Sequence, residues 1–251
     1  MKKLILCLAF IGFLGQSAVK AQDTKIEETF KTYRFGLYVG PSINSLRPAS
    51  QVFNGYEISK QKGNLGLSFG LTVDYNVNDR YTISSGVSLD WRGGAISSTK
   101  DTLTPIENGY AQQGVVTYKQ QYMTIPIGLK LRAIEKDNMS FFVQTGFDIS
   151  LLLSNRGTSD IINANGLPIP NRGIVNLNQE GIGKAFPINF GWFIGPGMEY
   201  QINEANSIFV ALIYRNGFTD VTAPQNNKNG SRFSDGNIRS NALGLRIGYY
   251  F

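Results

Sequence analysis

Residues 65–77 read LGLSFGLTVDYNV, and Asn78 and Asp79 follow directly. Every odd-numbered position in this stretch is apolar, and every even-numbered position is polar or glycine. Successive side chains of a β-strand point to opposite faces, so this period of two predicts a strand with one apolar face. Asn and Asp favour tight turns, and the apolar alternation resumes at Tyr81. The stretch therefore predicts a β-hairpin with one apolar face.

The same pattern recurs along the rest of the chain, and the links between its segments alternate in length. Eight strands are predicted at 32–43, 65–77, 80–92, 115–132, 139–152, 186–201, 207–218 and 238–251. The short links are 78–79, 133–138 and 202–206, and the long links are 44–64, 93–114, 153–185 and 219–237. Short periplasmic turns alternating with long extracellular loops are typical of outer-membrane barrels. We predict an all-β fold, an eight-stranded antiparallel up-and-down transmembrane β-barrel.

The alternation itself leaves two soluble folds open, a β-sandwich and a lipocalin-like barrel. In either one the apolar face would be buried, whereas in a membrane barrel it faces lipid. The alternation of loop lengths and the last strand, which ends on the aromatic Phe251, favour the membrane form. Aromatic residues also fall near the predicted strand ends, where amphipathic rings suit the membrane interface. They are Tyr75, Tyr81, Trp91, Phe147, Trp192, Tyr200 and Tyr214.

The N-terminus has the layout of a secretory signal peptide. Lys2 and Lys3 precede a short apolar run that is followed by small and polar residues up to Ala21. We predict a cleaved signal peptide at 1–21, a short periplasmic segment at 22–31 and the barrel at 32–251. The single cysteine, Cys7, lies within the predicted signal peptide. The mature chain would then contain no cysteine, and the predicted location is the bacterial outer membrane.

The segment 121–130, QYMTIPIGLK, resembles a strand of a known family. A Tyr-x-x-Ile-Pro-x-x-x-Lys pattern is typical of the outer-membrane β-barrel domain family of Gram-negative bacteria that includes PorT-like proteins. This resemblance implies an eight-stranded outer-membrane barrel without shared catalytic residues. Pro126 cannot donate to a strand ladder, so we expect a β-bulge there.

Composition argues against several classes of function. The 251-residue chain has no histidine, which removes Ser-His-Asp, Cys-His and histidine-ligated zinc chemistry. Its formal charge of +6 falls to +3 without Lys2, Lys3 and Lys20, which is too small to indicate nucleic acid binding. We expect no enzymatic activity, cofactor, metal site or nucleic acid partner.

The polar faces of the predicted strands carry many charged residues. In a small barrel these side chains would face the lumen and pair with one another, because unpaired buried charges are costly. The predicted lumen charge network comprises Asp74, Arg80, Asp90, Arg92, Lys130, Arg132, Asp148, Glu199, Arg215 and Arg246.

These features predict a structural or partner-binding role through the long external loops. Alternatives are a PorT-like secretion-system component and a narrow channel or uptake protein. The expected partners are outer-membrane lipid, the barrel-assembly machinery during biogenesis, and a protein or glycan at the loops. The link 153–185 is the longest one; we expect a variable surface loop there, and the alternative is a small hairpin that binds a partner or a glycan.

Overall fold

A computed structural model describes residues 32–251 except 54, 101–111, 137, 163–165, 170–172, 181–182, 204 and 223–235. The predicted signal peptide and the segment 22–31 lie outside the described residues. Eight long strands are described: β1 (Tyr33–Pro48), β3 (Tyr56–Asn76), β4 (Tyr81–Lys100), β5 (Gln113–Lys136), β6 (Met139–Ile162), β9 (Ile188–Gln201), β10 (Ser207–Gly217) and β11 (Ile238–Tyr250). The short elements are β2 (Val52–Phe53), β7 (Pro168–Ile169), β8 (Val175–Asn176) and the helix α1 (Leu177–Glu180).

The eight long strands form one closed antiparallel ring. Each pairs with its neighbour along the chain, and β1 pairs with β3 on one side and with β11 on the other. In the closing seam Gly36 faces Tyr250 and Pro48 faces Ile238. The predicted eight-stranded barrel is confirmed. No helix in the described part of the chain is long and apolar enough to span a membrane.

The outer surface carries the apolar faces of the strands, and the lumen carries the polar faces. Leu65 is 79% exposed and Ile43 is 62% exposed, whereas Asp74 and Thr124 are fully buried. This apolar belt covers about ten residues of each strand, which is roughly 25 Å at the usual tilt and matches a bilayer. The orientation is that of a membrane barrel and not of a lipocalin-like barrel or a β-sandwich.

Aromatic side chains line the belt toward both of its edges. Tyr75, Tyr81 and Tyr200 lie at the ends of their strands, next to the short turns. Trp192 and Tyr214 lie near the long-loop ends of β9 and β10, whereas Trp91 and Phe147 lie inside β4 and β6, because these two strands continue past the belt. Trp192 packs edge-on against Tyr214 at 5.8 Å between ring centroids.

The strands are longer at the long-loop end than the sequence predicted. The links predicted at 44–64, 93–114 and 153–185 are partly strand, since β3 begins at Tyr56, β4 reaches Lys100 and β6 reaches Ile162. In this extension the apolar residues face the inside of the barrel and the polar residues face outward, which is the reverse of the membrane-spanning part. Ile58, Ile96 and Val116 point inward and are buried, while residues such as Lys60 and Lys62 are exposed. The prediction failed there because no outward apolar face marks these residues as strand.

The extension encloses an apolar cluster that we call the loop-end core. It consists of Leu46, Tyr56, Ile58, Ile96, Val116, Tyr118, Leu177, Val221 and Ile238. Leu177 comes from α1, and Val221 comes from the segment that follows β10. Val221 donates a backbone hydrogen bond to Ile238 O at 2.7 Å, which holds this segment beside the start of β11.

The link 153–185 contains two short strands that pair with β6, as in the hairpin alternative. β6 continues to Ile162, and β7 folds back against it with Ile169 facing Ile161. β8 then pairs with the same strand further toward the membrane, Asn176 facing Arg156. These short strands cover part of the β6 edge, which blunts an edge that would otherwise invite pairing with other chains.

Side-chain oxygens stabilise two of the short turns. Asn78 Oδ1 accepts backbone hydrogen bonds from Arg80 at 3.0 Å and Tyr81 at 2.8 Å. Asn203 Oδ1 accepts corresponding bonds from Ala205 and Asn206. Asn is favoured in such positions because its side chain satisfies turn backbone donors.

The β-bulge predicted at Pro126 is wrong. The β4–β5 register is the same on both sides of it, with Ser85 facing Ile127 and Ser88 facing Thr124. The hydroxyl of Ser85 donates to Pro126 O at 2.9 Å. The strand therefore accommodates the missing N–H without an inserted residue.

Three aromatic rings in the lumen each lie across a glycine on the neighbouring strand. The facing pairs are Tyr38 with Gly70, Phe142 with Gly197, and Phe209 with Gly248. A Cβ atom added at any of these glycines would lie within 2.5 Å of the facing ring. The missing side chains therefore make room for the rings, which fill the lumen near the short-turn end.

The two ends of the barrel should differ in their access from outside the cell. We expect Thr99→Cys, at the long-loop end, to react with a membrane-impermeant maleimide on intact cells. Asp79→Cys, at the short-turn end, should react only after the outer membrane is permeabilised. The predicted mature chain has no cysteine, so the unsubstituted protein is the blank. Labelling of Asp79→Cys on intact cells would contradict this orientation.

Candidate functional site

Two groups of charged residues occupy the lumen. The first, the turn-end cluster, consists of Arg34, Asp74, Lys130 and Glu199. Lys130 donates to Asp74 and also to the Tyr250 hydroxyl at 2.8 Å. Arg34 pairs with Glu199 at 2.5 Å, and its guanidinium lies 4.4 Å from the centre of the Tyr250 ring.

The turn-end cluster is enclosed by the barrel wall and by aromatic rings. Asp74 also accepts a hydrogen bond from the Ser84 hydroxyl at 2.6 Å. The Lys130 ammonium lies 4.8 Å from the centres of both the Phe142 and Tyr250 rings. Asp74 is 0% exposed and Lys130 is 1% exposed. Each buried charge thus has both an opposite charge and further polar or aromatic partners, which offsets much of its desolvation cost.

The second group, the mid-barrel cluster, consists of Asp90, Arg92, Asp148 and Arg215. Asp90 Oδ2 pairs with Arg92 Nη2 at 2.6 Å and with Arg215 Nη1 at 3.1 Å. Arg215 Nε lies 3.5 Å from Asp148 Oδ2. The cluster joins side chains of β4, β6 and β10, so it links opposite sides of the ring through the lumen.

Arg246 lies between the two clusters and pairs with aromatic rings. Its guanidinium carbon lies 4.9 Å from the centre of the Tyr38 ring and 5.8 Å from that of Phe193. Its Nη2 atom is buried and has no hydrogen-bond partner among the described residues. The cation–π contacts therefore provide the stabilisation that a carboxylate provides for the other lumen arginines.

The space left between these side chains is small. Two cavities that Arg246 lines have volumes of about 20 Å³, and a third, beside Asp148 and Arg215, has about 10 Å³. Each cavity has room for about one water molecule. Above the mid-barrel cluster, the loop-end core fills the barrel with apolar side chains. The described part of the lumen thus holds two layers of different chemistry, ion pairs in the membrane-spanning part and apolar side chains in the extension.

The structure places most of the predicted network residues in these clusters. Asp74, Asp90, Arg92, Lys130, Asp148, Glu199 and Arg215 make the ion pairs described above. Arg132 lies near the short-turn end, where it donates to Asn76 at 3.5 Å. Arg80 lies outside the lumen, exposed in the turn after β3. The prediction that Arg80 faces the lumen is wrong, because Arg80 belongs to the turn before β4 and the alternation of the strand does not apply to it.

Arg34 was absent from the predicted network although it pairs with Glu199. The signal was present in the sequence, since Arg34 occupies a polar position beside the outward-facing Phe35. Its partner strand, β9, is far away in the sequence, so the ion pair itself could not be found without the register. The Tyr250 hydroxyl was missed for the same reason.

The described residues include no group of three or more side chains suited to holding a metal ion. The buried carboxylates of both clusters are engaged by arginine or lysine. What the arrangement can do chemically is to hold the barrel closed and to link its strands through the lumen.

Fold and lumen together define a small outer-membrane β-barrel with a filled interior. A family model described as "outer membrane protein beta-barrel domain" matches residues 20–223, and the chain belongs to this family. The protein is located in the outer membrane, in contact with its lipid. A search of curated proteins found no match.

Solved outer-membrane barrels resemble the fold at low sequence identity. Neisserial surface protein A is 12% identical, with a TM-score of 0.41 over 86% of this chain and 97% of that chain. OprG from Pseudomonas aeruginosa is 11% identical, with a TM-score of 0.40 over 88% and 96%. The outer membrane protease OmpT from Escherichia coli is 10% identical, with a TM-score of 0.44 over 87% and 95%.

The Asp74–Lys130 pair should be strongly coupled. Lys130→Met leaves a buried carboxylate without its cation, so we expect a loss of about 3–5 kcal/mol in the free energy of unfolding. Adding Asp74→Asn to this variant should restore part of the loss, because the unpaired charge is then removed. Urea unfolding in lipid vesicles measures both effects.

The matched control is Arg80→Gln, which removes one positive charge from the same end of the barrel but from an exposed position. It should leave the free energy of unfolding nearly unchanged. If Lys130→Met were as mild as this control, the pair would not contribute to holding the lumen closed.

Proposed function

We propose that this outer-membrane barrel is non-conducting and non-enzymatic, and that it acts as an interaction protein through its long-loop end. The observation that carries the proposal is the double closure of the lumen. Ion pairs fill the membrane-spanning part, and the loop-end core fills the extension. A channel or uptake protein needs a continuous polar path, and the two cavities that Arg246 lines each hold only about one water molecule.

The extension supports a docking role because its described residues are held by strand pairing and hydrogen bonds. β5 and β6 each have 24 residues, well beyond the length that crosses a bilayer. Asp220 Oδ1 accepts backbone hydrogen bonds from Thr222 and from Ile238, at 3.0 and 2.8 Å. A rigid surface binds a partner with less loss of conformational entropy than a flexible one does. The partner class that we propose is a protein or a glycan outside the cell.

A secretion-system role like that of PorT-like proteins is the second candidate, and the specific observation behind it is the strand 121–130. In that case the partner would meet the barrel from the periplasmic side, at the short turns. The barrel-assembly machinery is a further proposed partner during biogenesis.

If the lumen is filled as proposed, the barrel should not conduct ions. Purified mature protein inserted into planar lipid bilayers should give no stepwise conductance, because ion pairs and the loop-end core occupy the lumen in the described part of the chain. A general porin inserted under the same conditions is the positive control. A shift in gel mobility between unheated and boiled samples in SDS would verify that the barrel had folded. Reproducible conductance steps would overturn the proposal in favour of a narrow channel.

Site-specific crosslinking should show which end meets a partner. We expect Thr99→Cys, given a thiol-anchored photo-crosslinker in native membranes, to form an adduct of defined mass. Asp79→Cys should form none, because the short-turn end is not the docking surface in this proposal. Adducts at Asp79→Cys alone would reject external docking and support the secretion-system alternative.

A further inference from the structure

Basic side chains face one another on the outer surface of the extension. In the β1–β11 register Arg47 lies directly opposite Arg239, and in the β5–β6 register Lys119 lies directly opposite Arg156. All four residues are exposed. They form two facing pairs of cations on the outside of the barrel, on opposite sides of β3 and β4 in the sheet order.

Facing residues of this kind have Cβ atoms about 5 Å apart, and like charges in such positions destabilise a sheet. None of the four cations forms an ion pair with a carboxylate among the described residues. The outward acidic residues Glu57 and Asp160 lie further from the membrane on their strands. Within the described residues, no carboxylate therefore relieves the repulsion in either pair.

Both pairs lie just beyond the apolar belt. Arg47 follows the outward-facing Ile43 by four positions on β1, and Lys119 precedes Met123 by four positions on β5. Four residues of a tilted strand correspond to a height of roughly 9 Å. The polar headgroup region extends about 5–8 Å beyond the hydrocarbon on each side. Long basic side chains can reach back into this region.

We propose that the Arg47–Arg239 and Lys119–Arg156 pairs bind phosphate groups of anionic lipid headgroups in the leaflet at the long-loop end. A phosphate between two facing cations removes their repulsion and accepts charge-assisted hydrogen bonds from both. Each pair thus forms a lipid site on the outer wall of the barrel. The site depends on the membrane placement of the barrel and is independent of the docking role proposed above.

The chemistry can be tested by lipid titration of the full mature protein in zwitterionic detergent micelles. The probes are the bisphosphorylated glycolipid lipid A and the same lipid with its phosphates removed. We expect tight binding of the first and weak binding of the second. The double variants Arg47→Gln/Arg239→Gln and Lys119→Gln/Arg156→Gln should each weaken binding of lipid A, by about fivefold for each charge removed.

Arg80→Gln is the matched control, since it removes an exposed cation at the opposite end of the barrel and should leave lipid A affinity unchanged. Thermal unfolding in phosphatidylcholine vesicles shows that the variants fold. The double variants should be at least as stable there as the unsubstituted protein, because the like-charge repulsion is gone. With lipid A added, the unsubstituted protein should become the more stable one.

Either of two binding results would overturn the inference, and a competition experiment gives a third. One is equal lipid A affinity of the unsubstituted protein and a variant with all four cations replaced by glutamine. The other is equal binding of the phosphorylated and dephosphorylated lipid by the unsubstituted protein. Inorganic phosphate serves as a competitor, and displacement of lipid A at low phosphate concentration would show a site for free phosphate instead. A failed conductance or crosslinking result would leave this outcome unaffected.

Discussion

Within the hydrocarbon layer no water is present to satisfy the backbone, so every N–H and C=O of a spanning strand needs a partner in the protein. The pairing of β1 with both β3 and β11 meets this demand by removing the free edges of the sheet. Closing the ring with eight strands fixes the width of the lumen to about the size that side chains can fill. The inward side chains must then meet across the lumen, and their chemistry follows from this enclosure.

Charges fill the membrane-spanning lumen although apolar residues would pack there at less desolvation cost. The constraint comes from the sequence as well as from the folded state. If two strands joined by a short turn were apolar on both faces, the sequence would contain a nearly continuous apolar run. Such a run would approach the 18 residues that are typical of a transmembrane helix. Alternation avoids such a run, so polar residues must face inward, and ion pairs such as Asp74 with Lys130 make their burial tolerable. Ion pairs in the lumen are thus a consequence of the membrane location and are not by themselves a sign of conduction.

The eight strands, their order and the lumen-facing positions could be predicted because they depend on the outward apolar face, which is visible as a period of two. The extension could not be predicted in this way. Beyond the belt the outer face of the barrel meets water, so the polar residues face outward and the apolar residues face inward. Register shifts between Lys60 and Leu67 and between Gln121 and Tyr122 accompany this change. The sequence also did not show which opposite charge each lumen residue pairs with. Arg34 and Glu199 are far apart in the sequence and meet only through the closed ring.

The change of phase explains why one chain can have two different interiors. Below Leu46 the barrel wall faces lipid, and the polar residues have only the lumen to occupy. Above it the wall faces water, so apolar residues such as Ile96 and Val116 can turn inward and form the loop-end core. The boundary between these regions is where outward basic residues such as Arg47 and Lys119 occur, at the level of the lipid headgroups. An apolar core above the membrane stabilises the extension without depending on lipid.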